Sequence, residues 1–289
     1  MANIDALYNE LFAKVIEDDE RSQRHYLSMV EEHRKIPVDY LMSLGALFIP
    51  NNDYIRHYRG DKVLSSNAGL YYDGSCPWVM FVLLPIRNLL GEVVGLVGWD
   101  AYNKYKEVSE GAVGLVSYRV SAKSVFQRER YFLSDIDCLR RNFDSRVLFV
   151  TDGVFDTVSL CYRGIPAVAL LGSAFSRELL YFMSWYKYVY VCADNDRAGL
   201  NLVKKLSRAL PNVYRVVQNQ TKDIEELMRT QGDFVKEQLQ CLMNSPIKGD
   251  FILGSIEMQG RTRWRREPNK GITKLSFDAE TSEEESADV

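Results

Sequence analysis

Two apolar runs of strand length each stop at carboxylates. Val147-Leu148-Phe149-Val150-Thr151 leads into Asp152-Gly153-Val154-Phe155-Asp156, and Tyr188-Val189-Tyr190-Val191-Cys192-Ala193 leads into Asp194-Asn195-Asp196-Arg197-Ala198-Gly199. Hydrophobicity that is continuous rather than alternating, bounded by Asp and Gly, predicts strands buried on both faces. A helical pattern follows each run, over 157–163 before Gly164-Ile165-Pro166 and over 200–210 before Pro211. Strands alternating with helices predict a parallel sheet, and open α/β sheets place ligands outside the carboxyl ends of their strands. The acids fall at those ends.

Carboxylates gathered at one edge repel one another and raise each other's pKa unless a cation neutralises them. Carboxylate oxygens are hard ligands suited to Mg²⁺ or Mn²⁺, and Mg²⁺ commonly joins protein carboxylates to substrate phosphates. The implied chemistry is phosphoryl or nucleotidyl transfer. Strand alternation would aim Asp194 and Asp196 to one side, making a pair that shares a metal. Gly199 is expected to admit a close backbone, and Gly153 a tight exit from the first strand. Asp-Gly and Asp-Asn-Asp are also ordinary turn residues, so it is the repetition of the pattern on two strand ends that carries the reading.

These segments, with Gly164-Ile165-Pro166-Ala167-Val168-Ala169-Leu170-Leu171-Gly172 between them, resemble the TOPRIM domain of bacterial DnaG-type primases. Thr221-Lys222-Asp223-Ile224-Glu225-Glu226-Leu227 is similar to the Lys-Asp-Pro-Asp-Glu segment that closes that domain, with Ile224 replacing the usual proline. The family normally has Glu at the position of Asp152, whose side chain is one methylene shorter. TOPRIM domains also occur in topoisomerases, recombination proteins and nucleases. Primase is selected from among them by Leu84-Pro85-Ile86-Arg87-Asn88-Leu89-Leu90-Gly91-Glu92-Val93-Val94-Gly95-Leu96, which resembles a stretch of the amino-terminal primase subdomain.

The resemblance implies an α+β protein: a mixed amino-terminal lobe over 1–140, a parallel-sheet TOPRIM domain over 141–230, a helical segment over 231–260, and a basic segment with an acidic, disordered tail over 261–289. It implies RNA primer synthesis on single-stranded DNA from ribonucleoside triphosphates. Asp152, Asp194 and Asp196 would be catalytic, and Asp156 and Asp223 would join them around Mg²⁺ or Mn²⁺. A metal-dependent TOPRIM nuclease, and a non-catalytic replication factor that binds DNA or helicase, are the alternatives.

Earlier in the chain, Ile4, Leu7, Leu11 and Val15, then Tyr26, Leu27 and Val30, predict helix up to Pro37, with a short helix closed by Gly45. The run 78–86 and its partner 93–98 predict a hairpin, with Pro85 near an edge or strand end. Bases and aromatics interleave over 99–132, a combination suited to single-stranded nucleic acid. Arg87, Lys104, Tyr105, Lys106, Arg119, Lys123 and Arg128 are the candidate contacts there. A solvated basic face is the plainer alternative, and Arg87 could equally be a surface charge.

Five scattered cysteines with no Cys-x-x-Cys, and three histidines, argue against a zinc ribbon and fit a reducing compartment. The family's zinc-binding domain is therefore expected to be absent, and no P-loop pattern for a helicase occurs. No apolar run approaches the ~20 residues of a membrane span, so the expectation is a cytoplasmic protein, in a bacterial host if phage-encoded. A replicative helicase or single-stranded-DNA-binding protein is its expected partner. Net charge is −3, but residues 278–289 carry six acids and no base, leaving 36 basic against 33 acidic residues in the rest of the chain. The body is mildly basic, as a nucleic-acid surface allows but does not require.

Overall fold

The computed structural model describes residues 4–54, 78–100, 118–120, 131–133, 135–171, 175–218, 221 and 223–254. Helix α1 (Ile4–Arg34) is broken at Asp19, where φ −145 and ψ 34 leave the helical region in the middle of the charged run 17–21. After it, α2 (Val38–Ser43) ends at Leu44, and Gly45 turns the chain with φ +85 into β1 (Leu47–Ile49). Strands β2 (Phe81–Arg87) and β3 (Val93–Asp100) form the expected hairpin, and β4 (Tyr118–Val120) completes an antiparallel sheet of order β1-β2-β3-β4. Pro85 thus lies in an interior strand, not an edge strand. It is tolerated because β1 pairs only as far as Leu83, so the flank of β2 at Pro85 lies beyond the β1 pairing.

The second sheet has the order β10-β9-β8-β6-β7-β5. Its elements are β5 (Tyr131–Phe132), α3 (Ile136–Arg141), β6 (Val147–Thr151), α4 (Val154–Tyr162), β7 (Ala167–Leu170), α5 (Arg177–Ser184), β8 (Tyr188–Cys192), α6 (Arg197–Ala209), β9 (Val213–Gln218), α7 (Ile224–Asn244) and β10 (Phe251–Leu253). All pairings are parallel except that of β5 with β7. Alternate strand residues enter two cores. Val147, Phe149, Tyr190 and Cys192 pack with α4 and α7, whereas Leu148, Val150, Val189 and Val191 pack with α5 and α6. Both faces are covered, which is why these strands read as unbroken apolar runs.

Two boundaries differ from the sequence pattern. Helix α7 starts at Ile224, inside the stretch assigned to the TOPRIM domain rather than at residue 231, and passes through a break at Gln231 (φ −132, ψ 32). Residues 251–253 are a strand that extends the parallel sheet beside β9. Among the described residues, Cys138, Cys161 and Cys192 are buried thiols outside any disulfide, and Cys241 is an exposed one. No described helix is long and apolar enough to cross a membrane.

The two sheets share a core. Leu27 and Val30 of α1, Val82 and Leu84 of β2 and Trp99 of β3 pack with Phe132, Val154, Phe155, Val158 and Ala169 of the larger sheet's layer. Trp99 meets Phe155 edge-on, with centroids 5.3 Å apart. The opposite face of the smaller sheet is closed by Ile4, Tyr8, Leu11 and Val15.

Candidate active site at the acidic edge of the parallel sheet

Because β6 and β8 are adjacent and parallel, with Thr151 opposite Cys192, the two acidic tips lie side by side although 42 residues separate Asp152 from Asp194. The Asp194 N–H donates to Asp152 Oδ2 at 3.3 Å. Asp156 sits in the first turn of α4 and is buried; its Oδ1 accepts from the Glu225 N–H at 3.0 Å, which draws in the start of α7. Asp196 caps α6, accepting from the Gly199 N–H at 2.8 Å, and Asp223 caps α7, accepting from the Glu226 N–H at 2.8 Å. The edge therefore collects Asp152, Asp156, Asp194, Asp196 and Asp223.

The strand-alternation argument for Asp194 and Asp196 does not hold. Strand β8 ends at Cys192, and both residues belong to the loop and cap that follow. Their positions are set by the cap bond and by Gly199, where a Cβ would overlap the Asp194 carbonyl oxygen and lie 3.1 Å from the Ala193 Cβ. Gly153 also has a different reason from the expected one. Its φ of −111 is open to any residue, but a Cβ there would collide with the Asp156 carboxylate. Thr151 Oγ1 donates to the Gly153 carbonyl at 2.9 Å and pairs with Thr157 Oγ1 at 2.7 Å, fixing the exit from β6.

Asn195 reads as a turn residue in the sequence, yet it clamps two loops. Its amide donates to the carbonyls of Gln218, at 2.5 Å, and Thr221, at 3.0 Å, so the Asp194–Asp196 loop is tied to the segment that carries Asp223. Asn195→Ala is expected to cost about 1–2 kcal/mol, from two lost hydrogen bonds. Urea unfolding of the variant beside the parent checks this.

The electrostatics are those of clustered acids. Asp152 stands exposed at the strand tip; desolvation of its carboxyl first, then the charges of Asp194 and Asp196, push it up to about 6, against the pull of the Asp194 N–H. Asp156 is pushed well above the carboxylate range by burial, then by Asp223 and Asp152. Among the described residues no group of three His, Cys, Asp or Glu side chains is already spaced to hold a metal ion. The donor set, all carboxylate oxygen and mutually repelling, nevertheless has the chemistry of a hard divalent cation site.

Glu225 was not among the candidates drawn from the sequence. Its side chain is 6% exposed and ion-pairs with Arg34 of α1, 191 residues away. The Arg34 guanidinium lies 5.5 Å from the Trp99 ring centroid and 5.2 Å from that of Phe155. An acid set among the buried Ile224, Leu227 and Met228 was the one available signal.

Of the candidate nucleic-acid contacts, Lys104, Tyr105, Lys106, Lys123 and Arg128 lie outside the described residues. The Arg119 backbone is in β4, opposite Gly98. Arg87 donates to the Gly91 carbonyl at 2.8 Å, within the hairpin turn, and lines a cleft of about 500 Å³ with Tyr40, Ser43, Asp135, Arg140 and Arg141.

Residues 149–228 match the Toprim-like family model. Over 161 residues, 53% of its length, the chain is 39% identical to a DNA primase of Thermotoga maritima. It is 30% identical over 92 residues to the Gene 57 protein of Mycobacterium phage D29. The matched segment is 26% of the length of the Thermotoga primase and 59% of that of the phage protein. Among solved structures, a DnaG catalytic core superimposes with a TM-score of 0.65 at 18% identity, over 81% of this chain and 79% of the other. The DnaG primase catalytic domain bound to ssDNA gives 0.61 at 20% identity, over 83% and 80%. The chain thus has the fold of a DnaG-type primase catalytic core, with a Toprim-like domain at residues 149–228.

Proposed function

We propose that this protein is a DNA-directed RNA polymerase of the primase class, joining ribonucleotides into short primers on a single-stranded DNA template. The observation that carries the reading is the meeting of the two acidic tips through the Asp194 N–H and the Asp152 carboxylate, at the carboxyl edge of a parallel sheet. Asp152, Asp194 and Asp196 would hold the divalent ions, with Asp156 and Asp223 behind them. Mg²⁺ or Mn²⁺ held by these carboxylates would supply charge neutralisation for a triphosphate and favour ionisation of an attacking hydroxyl. The chain's own contribution is positional. Asn195 holds the two acidic loops in register, and the Glu225 N–H holds Asp156. Arg87 and the basic segment 104–128 would carry template phosphates, and a replicative helicase or single-stranded-DNA-binding protein would deliver that template.

The test is oligoribonucleotide synthesis on a single-stranded template with ribonucleotides and Mg²⁺ or Mn²⁺. Asp194→Ala is expected to lower product at least about 10²-fold, the scale on which misplacing a catalytic group acts, with its thermal unfolding unchanged. Equal product from the variant would overturn the site. Cleavage of labelled DNA without synthesis would reassign the chain to the nucleases.

A further inference from the structure

The sequence after Asp196 does more than begin a helix. Helix α6 carries Arg197, Lys204, Lys205 and Arg208 and no acidic residue. Its inner side is set by Gly199 and Leu206, both buried, with Leu202 and Val203 partly buried against the core under α5. Arg197, Lys204 and Arg208 are all exposed. At 3.6 residues per turn, spacings of 7 and 11 are close to two and three whole turns, so the three cations form one stripe about 16 Å long. None of the three has an ion-pair partner among the described residues, whereas the cations of α1 and α3 are interleaved with acids: Lys14 with Glu10, Arg24 with Glu20, Arg140 with Asp137. A solvated helix face usually mixes signs. This one does not.

The neighbouring helix supplies the complementary chemistry. Helix α5 covers the same sheet face as α6 and is joined to the end of it by the Asn212 amide, which donates to the Tyr186 carbonyl at 2.7 Å. Tyr181 of α5 and Trp185, the residue that caps its C-terminus one turn on, are 66% and 42% exposed and meet edge-on at 5.4 Å. Large exposed rings on one helix and a stripe of cations on another over the same sheet face suit unstacked bases on the first and phosphates on the second.

We propose that the outer faces of α5 and α6 are a second track for single-stranded nucleic acid, distinct from the Arg87 cleft. Arg197, Lys204 and Arg208 take backbone phosphates, and Tyr181 and Trp185 stack on bases. The stripe starts next to Asp196, so a strand held there runs from the acidic edge along α6. The polymerase reading supplies only the identity of that strand, the template; the surface chemistry stands without it.

The experiment is fluorescence anisotropy of a labelled single-stranded oligodeoxynucleotide with the full chain, titrated across potassium chloride concentration. Comparison variants are Lys204→Ala/Arg208→Ala and Trp185→Ala. Removing two phosphate contacts is expected to weaken binding about tenfold near 0.1 M salt and to flatten the slope of log K against log salt by about 1.4, at ~0.7 per contact on a single strand. Trp185→Ala is expected to weaken binding about tenfold with the slope unchanged, because stacking releases no counterion. Lys204→Arg/Arg208→Lys, which keeps both charges, should retain affinity and slope, and a loss there equal to that of the double alanine variant would overturn the phosphate role. Unchanged affinity and slope in the double alanine variant would overturn the track, as would absence of DNA binding by the parent chain. The same preparations assayed for primer synthesis separate the two ideas: a flattened slope in a chain that makes no primer keeps the track and removes the polymerase, whereas primer synthesis with an unaltered slope does the reverse.

Discussion

Arg34→Ala is expected to destabilise the protein by about 3–5 kcal/mol, the cost of leaving a buried carboxylate without its partner. Glu225 is 6% exposed on its side chain, and among the described residues only the guanidinium of Arg34, 15% exposed, pairs with it closely; Arg229 stands 4.0 Å off. The substitution also removes the cation from beside the Trp99 and Phe155 rings, where the two sheets meet. Burial already lifts the Glu225 carboxyl while Arg34 pulls it down. Without Arg34 the folded-state pKa rises further, so ionising Glu225 in the folded state becomes costlier. The deficit should therefore be small where Glu225 is protonated in both proteins and grow as pH rises through the parent's raised Glu225 pKa toward the variant's higher one, above the ordinary carboxylate range. Guanidinium unfolding of parent and variant across pH measures it, and a deficit that shrinks with rising pH would contradict the assignment. Arg34→Met/Glu225→Leu, which removes both charges and keeps much of the volume, should recover most of the loss. Because the Glu225 N–H holds Asp156, the single variant should also lose synthesis beyond its fraction unfolded.

Gly199→Ala is expected to fold with a displaced start of α6 and to lose about 2–3 kcal/mol, together with most of the activity. The added methyl overlaps the Asp194 carbonyl oxygen, which is backbone and cannot swing aside. Overpacking of this kind costs ~1–3 kcal/mol, and movement of residue 199 also strains the Asp196 cap, worth ~0.5–2 kcal/mol. A displacement near 1 Å at Asp194 would suffice for a ~10²-fold fall in rate. Thermal unfolding and primer synthesis, measured on one preparation, report the two effects; full activity would show that the turn accommodates the methyl.

Much of this edge was legible in the chain because burial on both faces leaves a signature that periodicity alone carries. Val147 to Val150 and Val189 to Cys192 have no polar side, and a strand without one belongs inside a layered sheet. The acids after them were legible for the same reason, since hydrophobicity stops where the strand does. What could not be read was geometry fixed by distant partners. The side-by-side placement of Asp194 and Asp196 was inferred from strand alternation, but Cys192 ends the strand, and a helix cap sets Asp196 instead. The apolar pattern marked α6 from Leu200, three residues late, because Arg197 to Gly199 are held by the cap rather than by a hydrophobic face. Glu225 stayed hidden because its partner lies in the first helix. Strand β10 is three residues long, and its place is decided by β9 and by Gly254, which turns at φ +77 against Leu227.

The apolar layer shared by the two sheets has a mechanical consequence. Parts of one chain joined by a thin polar contact ordinarily rock against each other, and closure can then be driven by whatever binds between them. Here Phe155 and Val158, one turn past the acidic tip, are seated among side chains of the smaller sheet and α1. Widening that junction would expose those side chains to water. The angle between the two halves is therefore settled when the chain folds, and on the polymerase reading a template strand would have to conform to a jaw that is already set rather than shut one that is loose.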